Sequence, residues 1–350
     1  MMVKSLSTLS ATSVLLSSTI QRTQGEMARI QGEVASGRRA DIGLQVGSAS
    51  ATLVSFQQEV SVLKTAIDAN SQIAGRLDAS QEALSSIVSN AQAALKAVIS
   101  ARGNPQARDV AVKQARGALQ SFIEATNTSY EGTYIFGGLN TQTAPFEDYF
   151  STPAPSSKAS LEVAFSGTFG IELDDPAAQT ITVSSMQAFL DSDFAGLFDD
   201  AGWESNWTSA TSQGTTSLIS MRQTATASVS AHAEAFRKIA SSLVMVAEFG
   251  SASVNDAAFD AVADLAATGL SEGIALMGGL QSEMGVVQKQ TADATSVMTR
   301  RLDLANEQVS QIEQVDFTEL SVRLNTLMNQ LEATYVVTGR LQQLSLLNAI

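Results

Sequence analysis

Nucleophiles, general bases and metal ligands are scarce in this chain. It has one histidine, His232, and no cysteine. Thiolate metal sites, cysteine nucleophiles and disulfides are therefore excluded, and a Ser-His-Asp triad or histidine metal cluster would have to be built around His232. His232 instead falls on the apolar steps Val229, His232, Phe236, Ile239, Leu243 and Val246, where it reads as a core or boundary residue of a helix. Carboxylates are the other candidates. Asp256, Asp260 and Asp264 recur every four residues and share one helix face, from which they could hold a cation. With no loop glycine or further ligand beside them, they read as a solvated face. Asp174-Asp175 and Asp199-Asp200 sit in loops and read the same way. No phosphate loop, dinucleotide fingerprint or zinc motif is present, and the Asn-x-Ser/Thr triplets at Asn127 and Asn206 carry no weight. The sequence predicts no catalytic residue, no metal, no cofactor and no enzyme activity.

The elements that must position these residues are mostly long helices. From residue 53, steps of three and four run Leu53, Phe56, Val60, Leu63, Ile67, Asn70, Ala74, Leu77, Gln81, Leu84, Val88, Ala91, Leu95 and Val98. Such a seam predicts one helix of about 70 Å at roughly 1.5 Å per residue. Asn70 and Gln81 are polar positions on that seam and are expected to fix its register. Gly103-Asn104-Pro105 marks a turn, and a shorter helix follows through Val112, Ala115, Leu119 and Phe122. Helical steps return after Gly214 through Leu218 and Met221 and lead into the run containing His232. A Gly-rich patch from Gly269 to Gly279 interrupts them. They then resume as Met277, Leu280, Met284, Val287, Thr291, Ala294, Met298, Leu302, Ala305, Val309 and Ile312, with a stutter at Met298.

Each terminus carries a further seam: Leu16, Ile20, Met27, Ile30 and Val34 at the front, and Leu320, Leu324, Leu327, Leu331, Val337, Leu341 and Leu344 at the rear. The front segment is rich in Ser and Thr, which are poor helix formers, and is expected to stay disordered until a partner completes its seam.

The middle differs. Between Pro145 and Trp207 lie four of the five prolines and both tryptophans, and glycines with alternating apolar residues begin at Gly132. Leu161–Phe165 and Thr180–Val183 read as strands. The expected fold is mainly α: a long antiparallel helical rod or coiled coil made from the two halves, with a small β-rich domain inserted between them. The expected segments are 1–42, an assembly helix; 43–138, the first half of the rod; 139–213, the acidic insert; 214–312, the second half; and 313–350, a second assembly helix.

The formal charge of -14 is concentrated in the middle, where residues 140–215 hold eleven acids against one base, Lys158. A basic nucleic-acid surface is thereby disfavoured. Nothing at the amino end reads as a cleavable signal, and no run approaches the roughly 20 apolar residues of a membrane span.

Three passages carry a resemblance. Ile30–Arg39, with Gly32, Ser36 and Gly37, is similar to the element that joins the terminal helix to the rod in bacterial flagellins. Glu131-Gly132-Thr133-Tyr134-Ile135-Phe136-Gly137-Gly138, followed by Thr141, Thr143, Ala144, Pro145 and Phe146, looks like a passage of their relatives, the hook-filament junction proteins of the hook-associated protein 3 family. Leu331–Tyr335, Arg340-Leu341 and Leu344–Asn348 are similar to the carboxyl terminus of that family. The resemblance implies a structural protein of the extracellular bacterial flagellum, exported through the flagellar type III apparatus with an export chaperone. It implies assembly as a ring of subunits between the hook-side junction protein and flagellin, through the terminal seams. A flagellin filament subunit is the alternative. An adhesin or Ca²⁺-binding module on a helical stalk is a more distant one.

Overall fold

The computed structural model describes the backbone of residues 2–40, 49–220, 223–250 and 254–347, and the side chains of 14–40, 50–220, 223–250, 254–341 and 343. Two compact units emerge, one made of residues 1–65 with 299–350 and the other of residues 66–298. Two long helices, α2 (Ala49–Ala101) and α9 (Asp256–Glu313), contribute to both. The fold is mainly α, and its only sheets among the described residues are two short antiparallel hairpins.

In the larger unit, α2 and α9 run antiparallel, since Gln81 Nε2 donates to the Gln281 carbonyl at 2.7 Å and Gln288 Nε2 to Asp78 at 2.7 Å. Every position of the seam from Leu53 to Val98 is buried or half-buried, as heptad spacing requires. Asn70 sits in that seam, 1 % exposed, and its amide donates to the Ile219 carbonyl at 2.9 Å and to Thr295 Oγ1 at 3.0 Å. A slip of α2 by one turn would break both bonds, so the residue does fix register. After α2 the chain turns at Gly103, in the left-handed region, and restarts with Pro105 in the first turn of α3 (Pro105–Thr126). This is the asymmetry expected of helix ends.

The first hairpin pairs β1 (Ser129–Tyr130) with β2 (Thr133–Tyr134). Its two turn residues, Glu131 and Gly132, both have positive φ, the conformation that matches strand twist in a two-residue loop. The second hairpin, β3 (Thr216–Ser220) with β4 (Gln223–Thr226), replaces the helical steps expected through Leu218 and Met221. Met221 lies outside the described residues. The β-branched Thr216, Ile219, Thr224 and Thr226 favour strands here, and Leu218 is 60 % exposed rather than on a helical seam.

Between the hairpins the chain forms α4 (Ser156–Phe169), a 3₁₀ turn (Pro176–Thr180), α5 (Val183–Phe189), a π-helical stretch (Leu190–Phe194), the single turn α6 (Ala195–Leu197) and α7 (Asp200–Asn206). The strands expected at Leu161–Phe165 and Thr180–Val183 are therefore corrected. In the first, Leu161 and Phe165 are buried while Val163 is 71 % exposed; the burial step is four, not two. In the second, Thr182 caps α5 by accepting from Ser185 N at 3.2 Å, and local capping overrides the alternation. An aromatic core fills this region, with Trp203 and Trp207 stacked at 5.5 Å and Tyr149 stacked on Trp207 at 5.5 Å. It continues into α3 through Phe122 and into α8 (Glu234–Phe249) through Phe236 and Phe249.

The Gly-rich patch does not interrupt α9, which runs unbroken through it. A Cβ on Gly273 would lie 2.7 Å from Ile239 Cγ1, and one on Gly269 would strike Ser242 Oγ. These glycines let α8 pack close to α9, and that packing outweighs their low helix propensity.

Candidate assembly interface

In the smaller unit α1 (Met2–Ser36) pairs with α10 (Phe317–Leu347). Their antiparallel alignment is tied by Arg323 to Glu26 at 2.7 Å and by Gln24 Nε2 to the Tyr335 hydroxyl at 2.9 Å. The seam residues face inward. Ile30 is fully buried and Leu327 nearly so, while Leu16, Ile20, Met27, Val34, Leu320, Leu324, Leu331 and Leu341 are half-buried. The side chain of Leu344 lies outside the described residues. Val337 is a correction: it is exposed, and Thr334 and Thr338 occupy the inward step between Leu331 and Leu341.

Where the helices meet the rest of the unit, the chain crosses in a short antiparallel bridge between Arg38 and Gln314. Arg39 N donates to the Glu313 carbonyl at 2.9 Å and Val315 N to the Gly37 carbonyl at 3.3 Å. Two buried carboxylates brace it. Glu33, 1 % exposed, pairs with Arg29 at 2.7 Å and accepts from Ala40 N at 2.9 Å. Glu313 pairs with Arg38 at 3.5 Å and accepts from Gln57 at 3.1 Å. Asp316 then caps α10, accepting from Thr318 N and Glu319 N, and these bonds hold its carboxyl below the usual range. The seam pattern did not single out Glu33, Glu313 or Asp316. Asp316 followed by Glu319 is a readable capping signature, whereas nothing local announces that Glu33 will be buried.

Outside the seam, the pair exposes Val14, Leu15, Phe317, Val322, Met328, Tyr335, Val336 and Val337. Two helices cannot enclose a core, so apolar residues on their outer faces stay in water. What this surface can do is bury area against further helices, at roughly 25 cal/mol per Å².

The residues weighed for chemistry are occupied structurally. His232 is in the turn before α8, not on a helical seam, because the helix begins only at Glu234. Asp264 pairs with Arg102, Asp260 accepts from Gly103 N at 2.8 Å, and Asp256 pairs with Arg108 at 3.2 Å. The three carboxylates thus clasp the α2–α3 turn and are not merely solvated. Asp175 and Asp199 cap the 3₁₀ turn and α7, and Asp200 pairs with Arg237. Asn127 exchanges two bonds with the backbone of Phe146. Among the described residues no three His, Asp or Glu side chains converge as metal ligands. No described helix is long and apolar enough to cross a membrane.

Long heptad helices together with a partly covered pair of terminal helices are the features of a class of protein that associates through its helices. The profiles of the bacterial flagellin N-terminal and C-terminal helical regions match residues 6–141 and 268–350. Together they span more than half of the sequence, and the chain belongs to the flagellin family, whose members are structural proteins that self-assemble into extracellular flagellar polymers. The fold is also similar to that of a solved Vibrio parahaemolyticus protein described as flagellar hook-associated. That match has a TM-score of 0.53 at 12 % identity and covers 77 % of this chain and 99 % of the other. A comparison with curated proteins found no significant match.

Proposed function

We propose that this flagellin-family chain is the junction between hook and filament. The observation that carries the reading is the passage Gly132–Phe146, which resembles the junction proteins and whose residues form part of the core. Ile135 and Phe136 are fully buried, Phe136 lies 5.5 Å from Phe236, and Gly138 takes positive φ where a Cβ would strike Thr211. The hook-associated description of the solved Vibrio protein agrees with it. In this reading the subunit leaves the cell through the type III export apparatus, escorted by an export chaperone. It then forms a ring between the hook-side junction protein and flagellin. Segments 1–42 and 313–350 make the assembly interface through Leu16–Val34 and Leu320–Leu344, segments 43–138 and 214–312 form the rod, and 139–213 faces solvent.

Immunogold labelling of intact flagella tests this. The junction reading expects one band at the hook boundary; uniform labelling along the filament would instead support a filament subunit. The terminal helices are expected to order on assembly. Amide exchange in dilute monomer should be fast over residues 1–30 and 320–350 and slow in isolated flagella, and full protection in the monomer would refute the coupling.

A further inference from the structure

Arg76 projects from α2 beside the β1–β2 hairpin. Its side chain is half-buried, desolvation pushes its guanidinium pKa down, and no carboxylate forms an ion pair with it. One bond is made, from Nη2 to the Ile135 carbonyl at 3.3 Å, while Nε is closed off from solvent without an acceptor. The other buried arginines are treated differently. Arg108 donates to the carbonyls of Gly250 and Val254 at 3.0 and 2.7 Å and pairs with Asp256, so opposing charges offset its desolvation. Arg237, whose Nε also lacks an acceptor, has its charge paired with Asp200. A guanidinium withdrawn from water without a counter-ion is costly.

Next to Arg76 a cavity of about 500 Å³ opens, walled by Ala69, Gln72, Ile73, Tyr130, Thr133 and Ser217. Tyr130 lies over Gly75, where any Cβ would collide with its hydroxyl. Glu131 also lines the cavity, from the hairpin tip. The rim carries the exposed Leu218. The site thus offers a desolvated cation with no ion pair, apolar walls and an open mouth.

We propose that this cavity receives a carboxylate side chain from a second copy of the chain, supplied by its acidic segment 140–215. The argument is charge complementarity. That segment holds eleven acids to one base, and Glu147, Asp174, Asp191 and Asp193 among them are exposed. A carboxylate entering the cavity meets a guanidinium whose one hydrogen bond is that from Nη2 to Ile135, and forms a charge-assisted bond with it. The contact would orient neighbouring subunits around the rod, apart from the terminal seams. It rests on the reading that copies pack side by side in the flagellum.

The test uses two full-length variants in flagellated cells. Arg76→Lys places an amine in the cavity, and a carbodiimide applied to isolated flagella should couple it to the docked carboxylate. The expected product is a dimer on a denaturing gel whose cross-linked peptide joins position 76 to an acid within 140–215. Coupling only within one chain, to Glu131, or no coupling in flagella that contain the variant would overturn the proposal. Arg76→Met removes the charge. The free protein should melt at or above the wild-type temperature, while less of it is retained in flagella. Equal retention of Arg76→Met and wild type would also overturn the proposal. If labelled wild-type chain is absent from flagella, the assembly reading fails and this proposal with it.

Discussion

In the larger unit Phe136, Trp203, Phe236 and Phe249 are closed off from solvent, whereas among the described seam residues of α1 and α10 only Ile30 and Leu327 approach that state and their neighbours stay half-exposed. The seams have the same heptad grammar in both regions; what differs is the number of elements packed against them. Around Phe236 the helices α3 and α8 and the aromatic middle segment meet from several sides. Among the described residues α1 and α10 pack chiefly on each other. A core holds one unit together, and a surplus of apolar surface is left for assembly on the other.

Truncation should separate the two regions most sharply. Phe236→Ala is expected to cost about 3–5 kcal/mol in denaturant unfolding of the free protein, since it leaves a cavity among Phe122 and Phe136. Leu324→Ala, on the half-buried seam, should leave that transition nearly unchanged but reduce retention in flagella. Equal losses of monomer stability would break the distinction.

The rod was legible because one period persists for many turns, so that even the polar exceptions Asn70 and Gln81 fall on the seam and make the bonds that set register. The middle was not. Leu161-Glu162-Val163-Ala164-Phe165 satisfies a step of two and a step of four equally, and only packing of Leu161 and Phe165 into the aromatic core decides between them. The patch from Gly269 to Gly279 looked like a break because glycine lowers helix propensity, yet the cause of those glycines is α8, distant in sequence. The terminal seams were legible to Leu331. Beyond it Val337 attracted the assignment through its apolarity, although Thr334 and Thr338 keep the spacing. Arg76 gave no signal, because an isolated arginine beside a seam is ordinary until it is seen to form no ion pair.

Glycines sharpen the comparison within α9 itself. Gly273→Ala should destabilise by about 1–3 kcal/mol, because its Cβ meets Ile239 and the α8 backbone there cannot easily give way. Gly278→Ala, with nothing within 4 Å of the new Cβ, should stabilise by roughly 0.5–1 kcal/mol through helix propensity. If both change stability in the same direction, close packing is not what places glycine at 273.

A smaller effect, of about 1 kcal/mol, is expected at Glu248, a carboxyl buried in the aromatic region with one oxygen lacking a partner. Desolvation raises its pKa, and the carboxylate of Glu162 adds to this, against the opposing charges of Lys158 and Arg116. A raised folded-state value means that the folded protein holds the proton more tightly than the unfolded chain does. The stabilisation is complete below the ordinary carboxylate range and is lost as pH rises through the raised value. Glu248→Gln should therefore be more stable than wild type at neutral pH and flatter in its pH dependence, measured by urea unfolding. A variant less stable than wild type at neutral pH would show that the charged form is the one the fold accommodates.

The least of these effects should appear at Asp316, where the exposed start of α10 depends on a side-chain cap. Its depressed pKa has the opposite sign from that of Glu248: the capping contribution is present above the ordinary carboxylate range and is lost as pH falls through the depressed value. Asp316→Ala should speed amide exchange at Thr318 and Glu319, whose N–H groups the carboxylate accepts, while leaving the unfolding of the larger unit unaltered. Measured against the intrinsic rate, which itself falls as pH falls, the protection of the same two amides should drop in acid in the wild type and change little in the variant. Because α10 supplies half of the terminal pair proposed as the assembly interface, loosening its first turn should weaken assembly without touching the core, which is the same division seen from its smallest contact.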